Sequence, residues 1–264
     1  MTRVARLYGL SPDCIIDFSA NINPLGPPQA ALDAIAANLG KVRRYPDPDC
    51  IELRAALGRY LDLDSANLVL GNGASELIGL VVNVVRPRRA GVLAPTFSEY
   101  EHALEAFGSD IARFTLSSEN GFLPDMDELG RWIDGLDMLF ICNPNNPSGS
   151  IFRHAEFLSV LEDAIDRDIF VVVDEAFIDF VDDAKSATLR NEAVSRNGLF
   201  ILGSLTKFFA LPGLRAGYGI GSASFIERLW RVKDPWSVNV MAQVASVASL
   251  ADEDFAAKTM AWVR

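Results

Sequence analysis

The sequence predicts an α/β fold: a mainly parallel sheet with helices on both faces, layered α/β/α. Three observations carry this. Short apolar runs alternate with stretches of helical pattern along most of the chain. Those runs are continuously apolar rather than alternating, as in strands buried on both faces. The residues richest in chemistry, Asp174 and the turn that begins at Asn143 among them, come where such runs end, which is where parallel sheets hold ligands.

The first forty residues stand outside this rhythm. Ile22-Asn23-Pro24-Leu25-Gly26-Pro27-Pro28 reads as an irregular, proline-rich arm, and a helix is expected over 29–39. The first strand is expected at 68–70, where Gly71-Asn72-Gly73 turns the chain into a helix over 74–85. A strand over 90–93 precedes a helix over 99–107. A strand over 137–142, a helix over 155–167 and a strand over 169–173 form the next βαβ unit. Runs at 199–202 and 216–220 read as strands on either side of a loop that holds Lys207. After Asp234-Pro235-Trp236-Ser237 the chain is helical in composition from Val240 to Arg264. No repeat, low-complexity tract or linker interrupts it. The expected boundaries are an arm with the start of a small domain over 1–40, a large domain over 41–232 and an interdomain helix over 233–264.

With 264 residues, half of them hydrophobic and 22% charged, the chain is sized for one large domain, or one and part of another, around a sizeable core. A formal net charge of −11 argues against nucleic acid or an anionic membrane as partner. A small anionic substrate stays open, because local arginines override the global field. Cys14, Cys50 and Cys142 are odd in number and scattered, which suggests neither a disulfide framework nor a metal site and fits a reducing cytosol. Cys142, after Met138-Leu139-Phe140-Ile141, reads as a buried strand residue. The start, Met1-Thr2-Arg3-Val4-Ala5-Arg6, carries no signal-type apolar stretch, and no apolar run approaches membrane length. A cytoplasmic protein is expected.

Lys207 lies in Gly203-Ser204-Leu205-Thr206-Lys207-Phe208-Phe209, followed by Leu211-Pro212-Gly213-Leu214-Arg215-Ala216-Gly217-Tyr218. A surface lysine beside a turn is the plainer reading, but its neighbours are small or apolar rather than a solvated charge run. Asp174 closes Val171-Val172-Val173, and a carboxylate buried there without a cation is costly. Gly71-Asn72-Gly73-Ala74-Ser75-Glu76 joins a strand to a helix whose first N–H groups favour a phosphate. Alone it is equally a plain junction, and Glu76 stands where a dinucleotide fingerprint needs its third glycine. Asn143-Pro144-Asn145-Asn146-Pro147-Ser148-Gly149 is a rigid turn that its composition alone explains, or a loop that brings the Asn146 amide to a ligand. Phe97, after Ala94-Pro95-Thr96, suits either the core or a stack on a flat ring. His102 and His154 sit far from these motifs and read as structural, and Asp182-Asp183 and Asp252-Glu253-Asp254 as solvated faces. Taken together, an amine for a Schiff base, hydroxyls and an arginine for a dianionic phosphate, and a carboxylate for a pyridinium nitrogen are what pyridoxal 5'-phosphate requires.

The same residues resemble fold-type I pyridoxal-phosphate enzymes, the aspartate aminotransferase superfamily. Within it the chain is similar to the histidinol-phosphate aminotransferase branch, with its nearest likeness to threonine-phosphate decarboxylases of cobalamin biosynthesis. That likeness is carried by Asp17-Phe18-Ser19-Ala20-Asn21-Ile22-Asn23-Pro24-Leu25-Gly26, Asp174-Glu175-Ala176-Phe177-Ile178-Asp179-Phe180, Ser204-Leu205-Thr206-Lys207-Phe208 and Pro235-Trp236-Ser237-Val238-Asn239.

The resemblance implies that Lys207 is the imine-forming catalytic residue. Gly73, Ala74, Ser75, Ser204, Thr206 and Arg215 hold the cofactor phosphate. Asp174 meets the ring nitrogen, Asn146 the phenolic oxygen, and Phe97 covers the ring. Asn21 and Asn146 touch substrate. Tyr45, in Arg44-Tyr45-Pro46-Asp47, reaches a second subunit's phosphate, which implies a homodimer with shared sites. The implied reaction is decarboxylation of L-threonine O-3-phosphate, a small phosphorylated amino acid, to (R)-1-amino-2-propanol O-2-phosphate. Histidinol-phosphate or related transamination is the alternative. Phe177 stands where aminotransferases of the branch carry tyrosine, as in the decarboxylases. The likeness also implies a His-Gly-Gly segment ahead of this start and a small domain that is incomplete here, so a non-catalytic cofactor-binding fragment is a further alternative. A nucleotide-binding α/β domain is a third.

Overall fold

The computed structural model describes residues 2–16 and 20–264; Asp17, Phe18 and Ser19 of the arm motif lie outside them. One seven-stranded sheet organises the chain: β1 (Leu68–Gly71), β2 (Arg89–Ala94), β3 (Asp110–Thr115), β4 (Met138–Cys142), β5 (Phe170–Asp174), β6 (Leu199–Ser204) and β7 (Gly217–Gly221), in the order β1-β7-β6-β5-β4-β2-β3. The pairs from β3 through β6 are parallel. β7 runs antiparallel to both β6 and β1, so the expected mainly parallel sheet is present with one reversed strand inside it.

The apolar runs bury on both faces. Along β4, Met138, Phe140 and Cys142 enter one core while Leu139 and Ile141 enter the other, as the two-residue period of a strand requires. Cys142 is the buried strand residue expected of it. The helices that supply the first core are α4 (Ala74–Val85), α5 (Glu99–Ala106) and α11 (Ala223–Val232), through Leu77, Val81, Tyr100, Leu104, Ile226 and Leu229. The opposite core is closed by α3 (Ile51–Leu61), α6 (Met126–Trp132), α7 (His154–Asp166), α9 (Arg190–Ser195), α12 (Val240–Leu250) and α13 (Glu253–Val263). Three layers result.

Several elements have no counterpart among the expected ones, β3, α3, α6, α9 and α11 among them, with the short helices α1 (Thr2–Tyr8), α8 (Ala184–Ala187) and α10 (Leu205–Phe208). β3 is an edge strand on which only Phe114 is buried, so it lacks the continuous apolar signature. α3, α6 and α11 are amphipathic helices of ordinary composition; α11, for example, hides Phe225, Ile226 and Leu229 while Arg228 and Arg231 face water. At the C-terminal end the single helical stretch is two helices. The chain breaks at Ala251, and the Asp252 carboxylate accepts the Phe255 N–H at 3.0 Å to cap α13. The arm opens with α1, and α2 (Gln29–Asn38) follows its prolines. α8 and α10 are single turns. Among the described residues no helix is long and apolar enough to cross a membrane.

Candidate active site

Asp174 ends β5 and is 4% exposed. Its Oδ1 accepts the Ala176 N–H at 2.9 Å and its Oδ2 the Tyr100 hydroxyl at 2.6 Å. Tyr100 is fully buried on the first turn of α5, stacked on Phe140 with ring centroids 5.0 Å apart. Burial pushes the Asp174 carboxyl above its ordinary value; the hydrogen bonds from Tyr100 and Ala176 and the charge of Lys207 pull it back. Among the described residues no cation forms an ion pair with it.

Lys207 stands on α10, directly after β6. Ser204 starts that turn: its Oγ accepts the Thr206 N–H at 3.3 Å and shares a 2.7 Å hydrogen bond with Thr206 Oγ1. Both hydroxyls are thereby fixed beside the lysine. The Lys207 amine lies 5.8 Å from the centre of the Phe177 ring. Burial, followed by the charge of Arg215, lowers its pKa, with Asp174 opposing. The arm clasps this turn from outside. The Asn23 N–H donates to the Lys207 carbonyl at 3.1 Å, and its side-chain amide donates to the Phe208 carbonyl and to Thr259 Oγ1, both at 2.8 Å.

Gly73, Ala74 and Ser75 open α4 at the end of β1. Arg215 reaches them from the loop before β7, with Nη2 3.5 Å from Ser75 Oγ. It holds a left-handed backbone conformation, φ 60°, which a side chain of its size adopts only under constraint. Two glycines permit the approach. A Cβ on Gly73 would collide with the Arg215 guanidinium, and one on Gly217 would collide with the backbone of Gly73 and Ala74.

The proline turn after β4 is tied to both neighbours. The Asn143 N–H donates to the Asp174 carbonyl at 2.9 Å. The Asn145 amide donates to the Pro95 carbonyl at 3.0 Å and accepts from Thr96 Oγ1 at 3.1 Å, which holds the loop that carries Phe97. Asn146 accepts from the side-chain amide of Asn21 at 3.3 Å.

One cavity collects most of these groups. Lys207, Asp174, Asn146, Phe97, Ala74, Ser75, Ser204, Thr206 and Arg215 all line it, completed by Cys142, Ala176 and Phe177. Gly73 stands just behind, as the cap of α4. Asn21 lines a neighbouring cavity of about 410 Å³ that shares Asn146 and Phe177 with the first. Tyr45 is elsewhere: its ring is 79% exposed, against Trp236 at 4.9 Å, on a separate groove. Sequence reading missed Tyr100 and Asn23. Tyr100 carries a faint signal, three residues after Phe97 on a helix start; Asn23 carries none beyond its place in the arm.

The donor set fits pyridoxal phosphate. Among the described residues the buried carboxylate has no ion-pair partner, and a protonated ring nitrogen would supply one. Two fixed hydroxyls, an arginine and a helix N-terminus converge for a dianion. An amine of lowered pKa lies within the same cavity.

The family model described as aminotransferase class I and II matches residues 13–264. The chain is 38% identical over 262 residues to a threonine-phosphate decarboxylase from Salmonella typhimurium, covering 98% of this chain and 71% of that one. It is similar to the crystal structure of the histidinol-phosphate aminotransferase from Clostridium acetobutylicum, at TM-score 0.86 and 32% identity, covering 94% and 73%. The fold also matches the Sinorhizobium meliloti histidinol-phosphate aminotransferase in complex with pyridoxal-5'-phosphate, at TM-score 0.89 and 21% identity, covering 98% and 70%. The chain thus spans about seven tenths of the length of these proteins. With that likeness along nearly its whole length and the cavity around Lys207 equipped as described, the chain belongs to the class I and II aminotransferase family, and its cofactor is pyridoxal 5'-phosphate.

Proposed function

We propose that the chain serves the decarboxylation of L-threonine O-3-phosphate to (R)-1-amino-2-propanol O-2-phosphate. The observation that carries this reading is the 38% identity to a threonine-phosphate decarboxylase across 98% of the chain. Phe177 agrees with it: the wall beside the Lys207 amine is an aromatic ring without a hydroxyl.

When bound, pyridoxal phosphate supplies an electron-withdrawing ring that stabilises negative charge on the substrate Cα. Ser204, Thr206, Arg215 and the start of α4 at Gly73, Ala74 and Ser75 would anchor its phosphate. Asp174, oriented by Tyr100 and Ala176, would meet the ring nitrogen, Asn146 the phenolic oxygen, and Phe97 would cover the ring. The bond from Cα to the carboxylate breaks, CO2 leaves, and a proton returns to the same carbon. Lys207, its pKa lowered by burial and by Arg215, would hold the cofactor when no substrate is bound and would move that proton. Asn21 and Asn146 hold the substrate from the arm side, next to the second cavity.

Labelled CO2 released from L-threonine O-3-phosphate, measured against amino transfer to 2-oxoglutarate, tests the reading. Obligatory transfer to the keto acid sinks it in favour of histidinol-phosphate or related transamination, which the 32% identity to the Clostridium acetobutylicum enzyme favours. The cofactor's visible band, compared between wild type and Lys207→Ala, tests the role of the lysine separately. We further propose a homodimer in which the exposed Tyr45 reaches the phosphate of the other site; sedimentation of wild type and cofactor affinity of Tyr45→Phe check it.

A further inference from the structure

Next to Asp174, Glu175 is a buried carboxylate, 3% exposed, that the chemistry above does not use. Its backbone is fixed at the end of the sheet, where its N–H donates to the Leu202 carbonyl at 2.8 Å. Its side chain reaches forward: Oε2 accepts the Thr188 hydroxyl and Oε1 the Leu189 N–H at 2.8 Å. These bonds close the segment 176–188 into a loop, with Glu175 as the post at one end and α9 continuing from the other. The segment carries Ala176 and Phe177 of the Lys207 cavity, and Phe180 and Val181 of the adjoining cavity that reaches Asn21. It is the wall between the two.

We propose that Glu175 is a positioning residue whose grip on Thr188 and Leu189 holds this wall, and with it Phe177, against Lys207. On the reading given above, the wall bounds the side from which the phosphorylated amino acid enters, so the grip governs substrate affinity and leaves the anchors of the cofactor phosphate untouched. The phosphate anchors stand on other elements, α4, α10 and the loop before β7, and Asp174 keeps its Tyr100 bond from α5. Among the described residues the wall has two other polar tethers to distant segments, Tyr60 Oη donating to Asp179 at 3.2 Å and the Arg264 Nε donating to Asp182 at 2.8 Å, and one aromatic contact to a distant ring, Phe180 against Phe208 at 5.2 Å. These three grip its middle, whereas the Glu175 bonds fix its far end. Around the carboxylate, Asp179 repels its charge and Arg190 attracts it. The Arg190 Nε is buried with no hydrogen-bond partner of its own among the described residues, so the Glu175 side chain depends on the two neutral donors for its bonds.

Glu175→Leu removes both acceptors at similar bulk. Thr188→Val removes one donor and is the milder variant, should the leucine chain fail to fold. Glu175→Gln keeps an acceptor for Leu189 and offers Thr188 a donor. Hydrogen exchange of amides 176–188 in the full chain, with and without cofactor, is the first readout. Exchange is expected to quicken about tenfold in Glu175→Leu and severalfold in Thr188→Val, and to return close to wild type in Glu175→Gln. The second readout is spectroscopic. The concentration of L-threonine O-3-phosphate that shifts the bound-cofactor absorbance is expected to rise about tenfold in Glu175→Leu, with cofactor affinity within about twofold of wild type. Unchanged exchange in both Glu175→Leu and Thr188→Val, or cofactor and substrate affinity falling together, overturns the proposal. A wild type that binds cofactor and ignores this substrate defeats the substrate reading alone, since the exchange arm still decides the role of Glu175.

Discussion

Tyr100 and Asp174, 74 residues apart in sequence, share a 2.6 Å hydrogen bond in which the phenol donates to Oδ2 of the buried carboxylate. The other oxygen is held by Ala176, so the carboxylate proposed to meet the cofactor ring is fixed at both oxygens. A bond from a hydroxyl to a buried charge contributes about 1.5–3 kcal/mol. Tyr100→Phe keeps the stack on Phe140 and loses only that bond. Its loss makes the ionised form of Asp174 harder to hold, and affinity for pyridoxal phosphate is expected to fall at least about tenfold. Fluorescence titration with cofactor measures it, and an unchanged dissociation constant refutes it.

Gly217 shows how closely β7, the strand that follows the lysine loop, packs on the start of α4. The atoms a Cβ would strike are backbone atoms of Gly73 and Ala74, not a flexible side chain. Gly217→Ala is therefore expected to cost about 2–3 kcal/mol by overpacking and, because the start of α4 must shift, to weaken cofactor binding as well. Urea unfolding and cofactor titration of the same sample separate the two effects.

The pH dependence of stability should carry the mark of Glu175. Burial pushes its pKa up from 4.5 to about 7, against the donors Thr188 and Leu189. An acid whose folded pKa is raised favours the folded chain fully below its unfolded value and loses that contribution as pH climbs through the folded one. Wild type therefore surrenders about 3 kcal/mol from this group between about pH 4.5 and pH 7. Glu175→Gln does not titrate, so the stability difference between the two chains is expected to shift by about that amount across the window. Urea denaturation of the cofactor-free chains at the two ends of the window measures it. Parallel curves contradict the expectation.

Asn239 joins α12 to the loop that bears Arg215. Its Oδ1 accepts the Ala242 N–H and its Nδ2 donates to the Leu214 carbonyl, both at 2.8 Å. Asn239→Ala is expected to cost about 1–2 kcal/mol in thermal or urea unfolding, the loss of a helix cap and of one loop tether. A loss below about half that range would mean that the loop is held by other contacts.

How far the sequence announced all this depends on the kind of signal. Lys207, Asp174 and Arg215 were legible because each is a charged group set against apolar or small neighbours at the end of a buried run. The central strands β4 and β5 were legible because both of their faces are buried. β3 was not, since an edge strand with a single buried residue looks like a loop. The direction of β7 was hidden for another reason: Gly-Tyr-Gly-Ile-Gly is buried throughout, and burial reads the same along either direction of a strand. Tyr100, Asn23 and the bonds of Glu175 to Thr188 and Leu189 are partnerships between distant segments, for which a single chain of letters holds no local mark.

The reversal of β7 ties two jobs to one ribbon. Since β6, the lysine turn and β7 fold back on each other and β1 joins the far side, the proposed imine-forming Lys207 and the proposed phosphate ligand Arg215 both sit in the connection between two paired strands. A tremor of the sheet moves both together, so their spacing survives motions that would pull apart groups mounted on separate layers.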